Sequence, residues 1–149
     1  MIPEERKPSF FIGKLPVYGD LVLAPMDGYS DLPFRRLARE LGSALSYTEF
    51  INAGEVFHPH PKLEKRLLFS EEERPLIYQI YDHSPERLLK AALFLRTKNP
   101  DVIDINMGCS VHSVSNRGAG AGLLRKPEKI GQIIKMLSDV LDIPVTAKI

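Results

Sequence analysis

Asp101-Val102-Ile103-Asp104-Ile105-Asn106-Met107-Gly108-Cys109 decides how this chain is read. A short, mainly apolar run gives a strand from Val102 to Asn106, and the glycine-containing turn behind it carries the only cysteine in the sequence. In a parallel α/β sheet or barrel the residues just past a strand's carboxyl end face the ligand crevice. Asn106 and Cys109 therefore fall where chemistry is sited, and the rest of the chain reads as the scaffold that carries them.

Working outward, the same strand-then-helix unit recurs. Upstream, Pro75–Tyr81 reads as a strand, followed by a helix with Ser84 at its cap, Pro85 at its first position, and Leu88, Ala91, Ala92 and Leu95 on its apolar stripe. Asn99-Pro100 ends that helix. Downstream, a glycine-rich loop leads to Pro127, which opens a helix with Ile130, Ile133, Ile134, Leu137 and Leu141 on one side, and Pro144–Ile149 is a further strand. Nearer the amino terminus, Leu21–Ala24 reads as a strand buried on both faces and Ala44–Phe50 as another. Between them lies a helix over Asp31–Leu41, with Pro33 in its first turn, Phe34, Leu37, Ala38 and Leu41 as its stripe, and Gly42 as its stop. Ile51–Phe57 is expected to begin a loop or short helix, and Pro59 and Pro61 to break the connection that follows. Residues 1–20 read as a polar leader and a small hairpin around Phe10–Gly19, with 21–149 as the α/β unit.

Five strands joined by four connections imply right-handed crossovers and a parallel sheet, either open and doubly wound or the first half of a (β/α)8 TIM-type barrel. A whole barrel takes about 250 residues, so on the second reading strands one to five are present and the chain stops inside the fifth. Unpaired strand edges would then favour self-association.

With 44% hydrophobic and 26% charged residues, the composition is that of an ordinary globular domain. A net charge of +1 gives no global footprint for nucleic acid, so RNA contact requires a local basic face or further segments. One cysteine excludes an internal disulfide framework, and no apolar run approaches the roughly 20 residues of a membrane span. A cytoplasmic protein with no membrane partner is expected.

Single residues have bland readings too. A lone cysteine is usually a small core residue, but Cys109 follows a strand between glycine and serine, beside an asparagine, and a thiol there can give up a proton. Asn106 alone would be a turn former. Pro25-Met26-Asp27 alone would simply end a strand. Gln79 needs a partner if buried, and Lys148 in an apolar strand is costly to bury without one. His112 reads as solvated or RNA-facing, and Glu71-Glu72-Glu73 as a solvated loop. His58 and His60 lack a third ligand, so no metal is expected. The glycines at 118, 120 and 122 lack the lysine-serine ending of a phosphate loop.

Asp104-Ile105-Asn106-Met107-Gly108-Cys109, with Arg117-Gly118-Ala119-Gly120-Ala121, Leu23-Ala24-Pro25-Met26 and Asp31-Leu32-Pro33-Phe34-Arg35, resembles the tRNA-dihydrouridine synthases over about Leu21–Ile149. The resemblance implies a TIM barrel holding FMN, with NADPH as reductant and tRNA as substrate. It implies that Cys109 protonates C5 of a uracil whose C6 receives hydride, and that Asn106 lies close to flavin and base. Pro25, Met26 and Asp27 would wrap the flavin, Gln79 would bond its polar edge, and Lys148 would sit against it. The pattern departs at Ser110, where the family usually has proline, at His112, Ser113 and Asn116, where lysines are frequent, and at Asp82, where glycine is common. Other readings of the same residues are an FMN oxidoreductase acting on a free pyrimidine, and a truncated, non-catalytic binding module.

Overall fold

A computed structural model describes residues 7–149; residues 1–6 of the expected leader lie outside the described residues. The hairpin forms as expected. Strands β1 (Phe10–Ile12) and β2 (Leu15–Val17) pair antiparallel, with Gly13 turning the chain at a φ of 60°. Val17 packs with Ala44, Leu45, Ile77 and Val102, so the hairpin seals the amino-terminal ends of the strands above it.

Those strands form a parallel sheet in the order β3/β4, β5, β6, β7. Strand β5 is Leu76–Tyr81, β6 is Val102–Asn106 and β7 is Val145–Lys148, within a residue or two of their expected spans. The expected strand at Ala44–Phe50 is split into β3 (Ser46–Tyr47) and β4 (Ile51–Asn52), so the segment expected to begin a loop at Ile51 begins instead as strand. Both pieces pair with β5, but the offset shortens by one residue between Tyr47↔Ile77 and Ile51↔Ile80. That slip is a bulge, which apolar patterning does not reveal.

Leu21–Ala24 is not a strand. Its backbone makes one bond to the sheet side, from Ala44 N to Leu21 O at 2.7 Å, and one to a side chain, from Leu23 N to Ser43 Oγ at 3.2 Å. Leu21 is 73% exposed. An apolar run becomes a buried strand only where a ladder and two covering layers exist, and here it has neither.

Helix α1 (Leu32–Glu40) has the expected ends: the Asp31 carboxylate accepts the Phe34 N–H at 3.1 Å, and Gly42 takes a φ of 101° beyond the last turn. Its expected stripe is only partly covered, with Phe34 and Ala38 half-buried. Leu37 and Leu41 are exposed, and the residue α1 buries is Arg35. The reason is electrostatic. Arg35 Nε donates to Glu73 Oε2 at 2.5 Å, Nη1 to Ser30 O at 2.8 Å and Nη2 to Leu68 O at 2.7 Å.

Glu73 is accordingly no part of a solvated loop. It is wholly buried in a single 3₁₀ turn, and its other oxygen accepts the Ser70 N–H. Pro61, expected to break the chain, opens helix α2 (Pro61–Leu67), and the His60 ring accepts the Leu63 N–H as its cap.

Helix α3 (Pro85–Arg96) buries Leu88, Ala91, Ala92 and Leu95 completely, and Asn99 at a φ of 59° ends it before Pro100. The glycine-rich loop contains a single-turn helix α4 (His112–Ser115) and a 3₁₀ segment over Gly120–Arg125. Helix α5 (Pro127–Val140) lies beside α3 and buries Ile133 and Leu137. Both helices cover Tyr78, Ile80, Ile103 and Ile105, which together form the main core. Each such side chain contributes about 1.5–3 kcal/mol on burial.

Candidate active site at the carboxyl ends of the strands

Side chains alternate along a strand, so the face opposite that core carries Ile77 and Gln79 of β5, Val102, Asp104 and Asn106 of β6, and Thr146 and Lys148 of β7. The register stacks them in layers. Ile77 and Val102 form an apolar floor over the hairpin, Gln79, Asp104 and Thr146 lie in one row, and Asn106 is level with Lys148 at the carboxyl ends.

The middle row is a continuous hydrogen-bonded chain. Thr146 Oγ1 donates to Asp104 Oδ1 at 2.6 Å, and Gln79 Nε2 donates to Asp104 Oδ2 at 2.7 Å. Asn106 Nδ2 then donates to Gln79 Oε1 at 3.0 Å. Gln79 is wholly buried and Asp104 is 1% exposed, while Thr48 Oγ1, in the break between β3 and β4, accepts the Gln79 backbone N–H. Burial pushes the Asp104 carboxyl above the usual carboxylate range, against its bonds from Thr146 and Gln79 and the nearby Lys148 charge. The Tyr47 hydroxyl is pushed up to about 12 by burial and then by the Asp104 charge.

Asn106 carries this chain into the turn. Its Oδ1 accepts N–H from Cys109 at 2.9 Å and from Gly108 at 3.2 Å, an arrangement that curls Gly108 and Cys109 back over the end of β6. Met107 N donates to Lys148 O at 2.8 Å, tying the same turn to β7. Cys109 is half-buried, and its carbonyl accepts the Ala121 N–H at 2.9 Å. A Cβ on Gly120 would stand 2.6 Å from that carbonyl oxygen. Gly120 thus has a packing role, letting the 3₁₀ segment press on the cysteine turn.

Pro25, Met26 and Asp27 form a separate group. Ser30 Oγ accepts the Met26 N–H at 2.8 Å, and Met26 O accepts N–H from Tyr29 and Ser30. Glu49 Oε1 accepts the Gly28 N–H at 2.9 Å. Arg66 bridges Glu49, at 2.7 Å, and Asp27, while Arg35 holds the Ser30 carbonyl from beneath. The bonds of this turn go to Glu49, Arg66 and Arg35 and not to the Gln79–Asn106 chain. Met26 and Asp27 are exposed, as is Lys148.

Of the expected site residues, the structure therefore joins Gln79, Asn106 and the backbone of Cys109, sets Lys148 opposite Asn106, and clamps Pro25–Asp27 independently. Sequence reading passed over Asp104, Thr146 and Thr48. A carboxylate two residues before Asn106 in a buried strand was the available signal, because such a group needs partners. Nothing in the pattern marked Arg35, Glu73, Arg66 or Glu49. Asp82, where the family frequently has glycine, anchors α3 instead: its carboxylate accepts N–H from His83 at 2.6 Å and Ser84 at 2.8 Å and pairs with Arg87.

Residues 22–149 match the model of the dihydrouridine synthase (Dus) family. Similar curated proteins include a probable tRNA-dihydrouridine synthase of Aquifex aeolicus (strain VF5), 39% identical over 135 residues covering 88% of this chain and 42% of the relative. Others are tRNA-dihydrouridine synthase B of Pseudomonas aeruginosa, 36% identical over 138 residues, and probable tRNA-dihydrouridine synthase 1 of Synechocystis, 34% identical over 138. These two alignments cover 93% and 92% of this chain and 42% and 39% of the relatives. The chain thus spans about two fifths of the length of the curated relatives it matches. With its match extending from strand to strand across the whole parallel sheet, the chain belongs to the dihydrouridine synthase family.

Proposed function

We propose that this chain is the amino-terminal part of an FMN-dependent tRNA-dihydrouridine synthase, which reduces the C5=C6 bond of uridine in tRNA with NADPH in the cytoplasm. Residues 21–149 then belong to a (β/α)8 barrel, with the hairpin at its floor. The observation that carries the reading is the half-buried Cys109, held by Asn106 just past the end of β6, where a buried polar row reaches the open side of the sheet.

The donor set suits a flavin. Lys148 offers an exposed ammonium, and the Pro25–Met26 backbone is held by Ser30. Bound FMN would supply the hydride delivered to C6 of the uracil. Cys109 gives its proton to C5, so that the two-electron reduction ends with one hydrogen on each carbon. Asn106 sets the cysteine turn and stands against the base. RNA contact has a local source in this chain: between Met107 and Ile133 lie Arg117, Arg125, Lys126 and Lys129 against one acid, Glu128.

The test is Cys109→Ala in a protein of the relatives' full length carrying this chain. Flavin reduction by NADPH should proceed as before, while reoxidation of the flavin on tRNA slows by about 10²-fold or more, the usual size of a lost general acid. Equal reoxidation rates would return Cys109 to a packing role.

A further inference from the structure

We infer that Asp104 is a positioning residue: through the oxygen it offers Gln79 as an acceptor it fixes the amide orientations of Gln79 and Asn106 and, through them, the turn that presents Cys109. That this turn serves catalysis rests on the proposed function; the orientation mechanism itself does not.

A primary amide carries an acceptor at one end and donors at the other, and turning it over exchanges them at almost no intrinsic cost. Two amides in series, Gln79 and Asn106, would therefore have several arrangements of similar energy. The Asp104 carboxyl removes that freedom. Its Oδ1 takes the Thr146 hydroxyl and its Oδ2 is left as an acceptor toward β5, so Gln79 directs Nε2 toward it, at 2.7 Å. Gln79 Oε1 then faces Asn106 and accepts from Nδ2 at 3.0 Å. With Nδ2 so engaged, Oδ1 is the end of Asn106 left to accept from Gly108 and Cys109. Each choice follows from the one before it.

Thr146 fills the other Asp104 oxygen without being part of the series, and a hydroxyl, which donates and accepts, imposes no direction. The charged or titratable groups facing Asp104 are Lys148 on β7 and Tyr47 on β3; the ammonium favours the ionised form that burial opposes. A buried carboxylate is costly, and its retention here is accounted for by what it orders.

The experiment needs neither flavin nor RNA, so its failure is separate from failure of the proposed function. In the isotopically labelled chain, the side-chain amide signals of Gln79 and Asn106 should each appear as one set with slow hydrogen exchange. In Asp104→Asn those signals should double or lose protection, and exchange at the Cys109 backbone N–H should rise about tenfold, the scale of one buried hydrogen bond, while β5 and β6 backbone amides stay protected. Thr146→Val should leave both amides in one set. Asp104→Asn combined with Gln79→Glu restores directionality, because the carboxylate introduced at position 79 accepts from both neighbours, and should restore the single Asn106 set.

Unchanged Asn106 and Cys109 protection in Asp104→Asn would overturn the inference, as would the same doubling in Thr146→Val, which would mean general loosening. If Asp104→Asn alone does not fold, the double variant decides: a single Asn106 set supports the inference, and doubled signals or failure to fold overturn it.

Discussion

Helices α1 and α3 have the same sequence grammar and opposite fates. Each opens with a capping side chain and a proline in its first turn, and each carries four apolar residues at helical spacing. On α3 all four are wholly buried against β5 and α5, whereas on α1 Leu41 is 78% exposed and the buried side chain is a guanidinium. The difference teaches that periodicity reports which residues share a face, while what covers that face is decided elsewhere in the chain. For α3 the cover is the apolar row Tyr78, Ile80, Ile103 and Ile105. For α1 the decisive contact is Glu73, 38 residues away in sequence.

If that contrast is right, the most damaging change near α1 is to its ion pair. Glu73→Gln leaves the Arg35 charge buried beside neutral groups and should cost about 3–5 kcal/mol, a large part of the stability of a small domain. Urea unfolding of the variant measures it. A loss under 1 kcal/mol would mean that Arg35 reaches water in solution. On α3 the matching experiment is Leu88→Ala, for which about 3 kcal/mol is expected from lost transfer energy and the cavity left behind. Near-parent stability there would show that the core around α3 collapses to fill the space.

The outer layer was legible because its signals are local. Ser84-Pro85, Leu88 to Leu95 and Asn99-Pro100 state a helix, its face and its end within a single short stretch. The inner layer was singled out at Cys109 by a rare residue type past a strand end, and at Asn106 and Gln79 through the family resemblance. Asp104 was hidden inside a strand that reads as apolar, and the Arg35–Glu73 pair was hidden because its partners lie in an arginine pair and a run of three glutamates. In each case one member is buried and its neighbours are solvated. Leu21–Ala24 failed for the converse reason: apolar character was present and the ladder was not.

The entrance to α3 adds a pH arm. Burial pushes the Asp82 carboxyl up, but Arg87 and the N–H groups of Ser84 and His83 outweigh it and hold the group below its ordinary 3.8. With the folded value depressed, Asp82 binds protons less readily folded than unfolded. Its contribution is therefore present above about pH 4 and lost as the pH falls through the folded value. Asp82→Asn should remove about 1 kcal/mol at neutral pH, the size of a helix cap, and flatten the acid limb of stability against pH. An acid limb as steep as the parent's would assign it to other carboxylates.

The smallest effect is expected at the exposed end of α1. Leu41 closes that helix through its backbone N–H, which donates to Leu37 O at 3.0 Å, a bond any residue but proline can make. Its side chain borders an apolar groove of about 330 Å³ between Leu21–Leu23 and the Phe34–Leu37 face. Glutamine has nearly the helix propensity of leucine, so Leu41→Gln should change the unfolding free energy by no more than about 0.5 kcal/mol. Concentration makes the test sharper. An exposed apolar patch favours association, so sedimentation should show the parent associating more readily than Leu41→Gln at high concentration while the dilute proteins unfold alike. A loss near 2 kcal/mol in dilute monomer would mean that the groove closes over Leu41 within one chain, and the two helices would then differ in degree and not in kind.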